Sequence, residues 1–274
     1  MKQRINHILR KRAAGETPLG LVVQTGSAEV VEMAAAAGLD FIVIDCEHGS
    51  GGFDKTIEML RAADAGDITP LVRLPDHTPH HILRMLDAGA MGIVAPNVNT
   101  GAQAEAIVAA AKYRIGDGGG RRGSCPSTRA NWHLAQDWES FARWSNEQTL
   151  VWVIVEDSEG VANIDEIAAV PGLSAIVPGP FDLAQAMGHG GAVDHPEVRA
   201  ALSKIAAAAA RNGVDISAAL MGTTAAQLGE QSAYWRSLRA TSFWVGGDRR
   251  ILSLSLRQRT QLVQDSLTAG PASR

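Results

Sequence analysis

Five polar residues with the types needed for acid–base or metal chemistry follow short apolar runs or lie just beyond them. Asp45 and His48 follow one run, Arg73 ends a second, Glu156 ends a third, and Asp182 lies just after a fourth. Paired carboxylates such as Glu156 and Asp182 bind hard divalent cations through oxygen, Mg²⁺ or Mn²⁺ by preference, with Co²⁺ or Zn²⁺ also compatible. Because these two residues are far apart in sequence, ordinary ion pairing is an alternative explanation.

This set of residues suits carbon–carbon bond cleavage beside a carbonyl group. Such cleavage needs an electron sink, a base for a hydroxyl proton and an acid that later protonates carbon. A divalent ion would be the sink, Arg73 would add fixed positive charge, and His48 would relay protons near neutral pH. No lysine ends any predicted strand, so a Schiff base with an enzyme amine has no candidate nucleophile.

Eight short apolar runs are typical of buried parallel strands. The strands are predicted at residues 21–25, 41–47, 70–75, 92–97, 150–157, 175–179, 214–220 and 243–247. Helical patterns alternate with them at residues 28–37, 54–65, 79–88, 103–111, 161–169, 196–212, 224–238 and 249–267. This alternation predicts a closed (β/α)8 barrel. An open doubly wound sheet is the alternative, but no glycine fingerprint follows the first strand. In a barrel the C-terminal ends of the strands share one rim, where the polar residues would meet.

One connection is much longer than the others. Residues 113–148 precede the fifth strand, whereas helix-to-strand loops usually have about 2–6 residues. Because long irregular loops in compact domains are often active-site elements, we expect a lid or substrate loop here rather than a surface insertion. A helix at 6–13 is expected to close the barrel floor, and the tail at 268–274 to be disordered. The chain, residues 1–274, would then be a single barrel domain.

Composition excludes several classes of function. The length of 274 residues fits one barrel of about 250 residues. A net charge of −4 gives no electrostatic footprint for nucleic acid, and no apolar run is long enough to span a membrane. Two distant cysteines, Cys46 and Cys125, are not a disulfide scaffold, so the cytoplasm is the expected compartment.

Several histidines have simpler explanations than catalysis. His80 and His81 are adjacent at a predicted helix start and face different ways, so we interpret them as surface residues. His189 and His195 flank a glycine-rich segment, and His195 precedes a proline at a predicted helix entry.

Four segments together resemble the HpcH/HpaI aldolase family. They are GLDFIVIDCEHG at 38–49, PLVRLP at 70–75, the acidic end of LVWVIVED at 150–157, and PGPFDLAQAMGHGGAVDHPEV at 178–198. The resemblance covers residues 20–220 and weakens beyond them. It implies a barrel of the pyruvate-binding type and a class II, metal-dependent aldolase that acts on a 2-oxo acid and an aldehyde. It also implies a homo-hexamer built from dimers, with active sites near subunit contacts.

The resemblance assigns the metal and substrate contacts by position. Glu156 and Asp182 match the family's metal-ligand carboxylates. The backbone around Gly179, Pro180 and Phe181 matches the segment that holds the pyruvate carboxylate.

The resemblance also implies the catalytic set. Arg73 matches the arginine that contacts the substrate keto oxygen, and His48 matches the acid–base histidine. Asp87 matches an aspartate that pairs with this histidine, and Asp45 matches a further acidic residue near it.

The sequence departs from the family pattern at two places near the site. Ile154 stands where the family commonly has a glutamine, two residues before the metal glutamate, and the loop at 118–131 differs from the typical aldolase loop. These departures leave two alternatives open. One is a citrate synthase-like transferase of siderophore biosynthesis, which would use the same barrel without needing the metal. The other is a non-catalytic binding barrel.

Overall fold

Eight parallel strands form a closed barrel in the computed structural model, which describes residues 4–134 and 136–268. Each strand pairs with the next along the chain, and the eighth pairs with the first. The strands are β1 (Leu19–Val23), β2 (Phe41–Asp45), β3 (Thr69–Arg73), β4 (Gly92–Ala95), β5 (Leu150–Val155), β6 (Ala175–Pro178), β7 (Asp215–Ala219) and β8 (Ala240–Gly247). The predicted (β/α)8 barrel is confirmed.

Helices surround the barrel and connect its strands. They are α1 (His7–Ala13), α2 (Ala28–Ala36), α3 (Phe53–Ala65), α4 (Pro79–Asp87), α5 (Gly101–Ala111), α6 (Trp138–Gln148), α7 (Ser158–Ala162), α8 (Ile164–Ala168), α9 (Pro180–Ala186), α10 (Pro196–Asn212), α11 (Ala225–Ser237) and α12 (Asp248–Thr268). The helix predicted at 161–169 is divided into α7 and α8. The short helix α9 was not predicted. The predicted disordered tail at 268–274 lies outside the described residues apart from Thr268.

Apolar side chains fill the barrel on both faces of its strands. The interior holds Phe41, Trp152 and Trp244, with Trp152 edge-on to Phe41 and stacked on Trp244. At the floor, α1 inserts Ile8 into this interior cluster, and the His7 N–H donates to Thr69 Oγ1 at the start of β3. Interdigitated large side chains make the interior a packed core, so ligands can approach only at the rim.

The long connection at 113–148 lies on the floor side of the barrel. It joins the end of α5 to the start of β5, and both of these ends are at the floor. Lys112 Nζ donates to the carbonyl oxygens of Asn146 and Thr149, at 2.6 Å each, and Arg129 binds Asp64 at the end of α3. Within one chain this segment therefore does not cover the rim, and the expected lid or substrate loop is not formed over the chain's own site. Helix-to-strand loops of a barrel lie at the end opposite the C-terminal rim, and this segment follows that rule.

Asp87 takes part in a structural ion pair of this floor region. It is the last residue of α4, which runs from the rim to the floor, and its carboxylate lies 2.8 Å from Arg122 Nη2. The side chain of Arg122 is only 2% exposed and its guanidinium lies over the ring of Tyr113. The pairing of Asp87 with His48 that the resemblance implied is therefore not formed within the chain, because the two residues lie at opposite ends of the barrel.

Helix α12 packs against the rest of the chain only at its first residues. Every described residue from Arg250 to Thr268 is exposed. Seven large apolar side chains of this helix face solvent: Ile251, Leu252, Leu254, Leu256, Leu262, Val263 and Leu267. No helix in the described part of the chain combines the length and apolarity that a bilayer crossing requires.

Asp87→Asn is expected to lower the free energy of unfolding by about 2–3 kcal/mol, because it leaves the buried Arg122 guanidinium without its counter-charge. Urea denaturation at neutral pH measures this change. The matched control is Glu139→Gln, which removes one carboxylate from the exposed Arg143–Glu139 pair and should change stability little. Equal stability of Asp87→Asn and the parent would contradict a structural role for Asp87.

Candidate active site

An arginine–carboxylate pair spans the ends of two neighbouring strands at the rim. The parallel register of β2 and β3 places Asp45 opposite Arg73. Arg73 Nε donates to Asp45 Oδ1 at 2.9 Å, and Arg73 Nη2 donates to Asp45 Oδ2, so the contact is bidentate. The third guanidinium nitrogen, Nη1, lies 3.2 Å from Glu47 Oε2. The cation is therefore held in one orientation by two carboxylates.

Asp45 has little capacity left for other chemistry. Its side chain is fully buried, and it also accepts from the N–H groups of Glu47 and His48 and from Gln24 Nε2. Burial alone would raise the pKa of Asp45, but Arg73 and these donors outweigh it, and the pKa is below its ordinary value. The structure thus gives Asp45 a positioning role, in which it orients Arg73 and the turn that carries His48.

A cluster of three carboxylates faces Arg73. Glu156 follows β5, is only 8% exposed and accepts the Asn97 N–H at Oε1. Burial raises the pKa of Glu156, and the negative charges of Glu47 and Asp182 raise it further. The hydrogen bond from the Asn97 N–H lowers this pKa but does not offset the rise. Burial likewise raises the pKa of Glu47. These electrostatic contributions place the three groups near one another at the rim, but their carboxylate oxygens are not all within 4.8 Å of one another.

The carboxylate cluster fits a hard divalent cation. Glu47 Oε2 is buried without a hydrogen bond, since its approach to Arg73 Nη1 lacks hydrogen-bond geometry. Arg73 carries a single positive charge that it shares between Asp45 and Glu47, so it cannot fully neutralise Glu47 and Glu156 as well. Glu156 is buried, Glu47 is half-buried and Asp182 is exposed. Buried charge of one sign is costly unless it is paired or binds a metal, and oxygen ligands are those that Mg²⁺ and Mn²⁺ prefer.

The end of β6 closes against Glu156. A Cβ atom on Gly179 would lie 2.6 Å from Glu156 Cβ, so only glycine allows this approach. The Gly179 N–H donates to the Val155 carbonyl and Pro180 has no N–H, so neither can donate to a substrate carboxylate. The next backbone N–H groups, in the first turn of α9, belong to Phe181 and Asp182. The ring of Phe181 is exposed to solvent.

His48 lies at the edge of the site. Its side chain is 64% exposed, and its Nε2 is 3.9 Å from Glu47 Oε2. The backbone of His48 is fixed by its N–H bond to Asp45 and by Arg249 Nη1, which donates to its carbonyl oxygen. The backbone is thus held firmly while the ring remains accessible.

Sequence reasoning missed three residues that support the site. Asp248 at the start of α12 accepts the backbone N–H groups of Gln24 and Thr25, and Arg249 donates to the Gln24 carbonyl. Gln24 in turn donates to Asp45. A signal was present, since Gln24 and Asp248 directly follow apolar strand patterns, but their partners could not be known from spacing.

Comparison with known proteins identifies the family. The sequence profile of the HpcH/HpaI aldolase/citrate lyase family matches residues 19–233. The chain belongs to this family. It is 34% identical over 198 residues to the hydroxypyruvate/pyruvate aldolase of Pseudomonas aeruginosa, covering 72% of each chain. It is 36% identical over 201 residues to that of Sagittula stellata, covering 73% of this chain and 76% of the relative.

Solved structures of family members agree with the fold. A family protein from Burkholderia cenocepacia J2315 superposes with a TM-score of 0.86 at 30% identity, covering 95% of this chain and all of that one. The citrate synthase SbnG superposes with a TM-score of 0.80 at 29% identity, covering 93% and 98% of the two chains. The resemblance read from the sequence is confirmed, and the chain is a member of an aldolase and lyase family whose reactions differ among members.

Glu156→Gln is expected to raise the thermal midpoint of the metal-free protein at pH 7.5. A carboxyl whose pKa is raised on folding destabilises the folded state once it ionises, and the amide can still accept the Asn97 N–H. The difference between variant and parent should shrink as pH falls, and it should vanish below the ordinary glutamate pKa of about 4.3, where the carboxyl is protonated in both states. Differential scanning calorimetry in the presence of a chelator measures it.

The matched control for this experiment is Glu105→Gln on the exposed face of α5, which should leave the midpoint unchanged at every pH. A lower midpoint for Glu156→Gln at pH 7.5 would contradict the view that Glu156 is held in an environment of uncompensated negative charge.

Proposed function

We propose that this chain is a divalent-metal-dependent aldolase that cleaves or forms 4-hydroxy-2-oxo acids through the enolate of pyruvate or a closely related 2-oxo acid. The observation that carries the proposal is the geometry at the rim, where Arg73 is fixed by Asp45 beside the carboxylates of Glu47, Glu156 and Asp182. The names of the relatives support it, since several are hydroxypyruvate/pyruvate aldolases.

Glu156 and Asp182 would hold the ion. When bound, Mg²⁺ or Mn²⁺ would act as a Lewis acid towards the 2-oxo group. Arg73 would place a guanidinium where negative charge develops on the enolate oxygen. Because Asp45 already holds the fork of this arginine, little reorganisation is needed as the charge forms. The first free amides of α9, at Phe181 and Asp182, would orient the substrate carboxylate.

His48 would transfer the proton. Its exposed ring can take the hydroxyl proton of the aldol and return it to carbon, while its backbone stays fixed by Asp45 and Arg249. In one chain Asp87 lies too far away to orient this ring. The role that the resemblance gives to Asp87 would therefore require the aspartate of a second copy.

A metal-independent, citrate synthase-like transferase is a second candidate, and one residue favours it. Ile154 is buried in the barrel interior near Gly179 and Glu156, where the family commonly has a glutamine. An apolar side chain there leaves the site without the polar group that a glutamine would supply. The structural similarity to the citrate synthase SbnG gives this alternative a precedent within the family.

Exchange of the pyruvate methyl protons with solvent deuterium tests the proposal without knowledge of the aldehyde. The parent should catalyse exchange, followed by NMR, only with a divalent ion present. His48→Ala should reduce the rate at least tenfold, because the proton then lacks a positioned relay. Arg73→Lys should reduce it at least tenfold too, since lysine keeps the charge but loses the fork held by Asp45.

Two exposed residues offer matched controls for this experiment, His80→Ala on α4 and Arg143→Lys on α6, and neither should change the rate. Exchange that persists after complete chelation would favour the transferase. Absence of exchange with metal supplied and pyruvate bound would overturn pyruvate-enolate chemistry for this chain.

We also propose that the chain functions as a homo-oligomer, with the hexamer implied by family resemblance as its form. Leu252, Leu256, Val263 and Leu267 lie along one face of α12 and are all exposed. Apolar residues on one face of a helix that packs on the chain only at its first residues, interrupted on that face by Arg259, indicate a surface that another copy covers.

Leu252→Glu combined with Leu256→Glu should shift the protein to smaller species in sedimentation velocity, because it places charge in the proposed contact. Gln261→Glu lies on the opposite side of α12 and should leave the assembly unchanged. A monomeric parent, or a double variant that assembles like the parent, would contradict the proposal.

A further inference from the structure

A cluster of imidazole and carboxylate groups lies away from the rim carboxylates, on the turn between α9 and α10. His189, His195 and Glu197 each offer one ligand atom, and these atoms all lie within 4.8 Å of one another. Within residues 4–134 and 136–268, no other group of three or more histidine, cysteine or acidic side chains has its ligand atoms this close to one another.

The distances within the cluster approach those of a metal site. His189 Nε2 lies 3.0 Å from Glu197 Oε2, and the rings of His189 and His195 are stacked with centroids 3.6 Å apart. Two ligands about 2.0–2.1 Å from a tetrahedral zinc ion are roughly 3.3 Å from each other. The ligand atoms are therefore close enough for one ion, and the two stacked rings would have to rotate so that both nitrogen lone pairs point at it.

The backbone of the turn brings the two histidines together. Gly188, Gly190 and Gly191 all have positive φ angles of 59–81°, which reverse the chain so that His189 returns over His195. The His189 N–H donates to the Ala184 carbonyl at the end of α9. The site is therefore organised before any ion binds.

His195 has one competing role. Its Nδ1 accepts the Glu197 N–H at 3.3 Å as the N-cap of α10. This bond is long, and the first turn of a helix at the surface can donate to water instead. Loss of the cap would therefore be a small cost against the coordination of an ion.

We propose that His189, His195 and Glu197 form a second metal site, which takes Zn²⁺ or a similar transition-metal ion and is distinct from the carboxylate site at the rim. Imidazole nitrogen suits Zn²⁺, Ni²⁺ and Cu²⁺, whereas Mg²⁺ takes oxygen ligands. Three protein ligands leave a fourth position for water, and the partly exposed turn gives the ion access.

Such a site would restrain a residue next to the rim. Gly191, within the same turn, lies so close to Phe181 that a Cβ atom there would be 2.6 Å from the ring. Phe181 is adjacent to Asp182 in α9. An ion on the turn would fix the loop that packs against Phe181 and so stabilise the conformation of the segment that carries Asp182.

Calorimetric titration of Zn²⁺ into the full, tag-free chain with saturating Mg²⁺ tests the proposal. We expect one Zn²⁺ per chain, with affinity at least tenfold weaker in each of His189→Ala, His195→Asn and Glu197→Gln. Asparagine at 195 keeps a side-chain acceptor for the helix cap while removing the imidazole. His80→Ala removes an exposed histidine outside the cluster and should leave the affinity unchanged, as should Glu156→Ala at the rim.

Two results would overturn the proposal. One is Zn²⁺ affinity that survives in any of the three turn variants, which would exclude that residue as a ligand. The other is loss of Zn²⁺ binding in Glu156→Ala, which would place the ion at the rim. Circular dichroism of each variant distinguishes a lost ligand from a lost fold.

Discussion

The bidentate contact between Asp45 and Arg73 is the constraint on which the rest of the site depends. The register of β2 and β3 sets it, because closure of the barrel places the two residues opposite each other at the rim. Asp45 uses its remaining acceptor capacity on Gln24 and on the turn that carries His48. The buried carboxylate of Asp45 thus positions both the Arg73 guanidinium and the backbone that carries the exposed His48 ring. Without Asp45 the guanidinium would be only partly compensated, by Glu47.

A single chain retains two unfavourable features, namely negative charge at the rim that Arg73 does not fully neutralise and an exposed apolar face on α12. Arg73 is paired with Asp45 and also contacts Glu47, so its single charge leaves negative charge on Glu47 and Glu156 that burial makes costly, and the exposed Asp182 adds a further negative charge. Such a cluster is a stability cost that a binding site retains for its function. Helix α12, which follows the rim end of β8, exposes an apolar face to solvent. A cation at the rim and another copy on α12 would each remove one of these costs.

The sequence predicted the barrel and much of the rim because both follow from local patterns. Continuous apolar runs identify buried strands, and the barrel rule then places Asp45, Arg73 and Glu156 at one end. The segment at 113–148 does not cover the chain's own site as expected, because loop length was given more weight than loop direction, although a helix-to-strand loop belongs at the floor. The partner of Asp87 could not be predicted, because Arg122 reaches it from that irregular segment. Helix α9 was missed because seven residues are too few for a helical period to be read.

Helix α9 also decides whether the two proposed ions can be present together. Asp182 lies in its first turn and His189 follows its end, with six residues between them, and the helical part from Asp182 to Ala186 spans about 6 Å. Salt at about 0.1 M screens exposed charges only beyond about 10 Å, so two divalent ions held near the ends of α9 would be screened from each other only in part. The ligand chemistry separates the ions further, with oxygen donors alone at the rim and two imidazoles on the turn. The two sites would therefore be coupled through the position of α9 as well as through charge repulsion, since each holds one end of the same short helix.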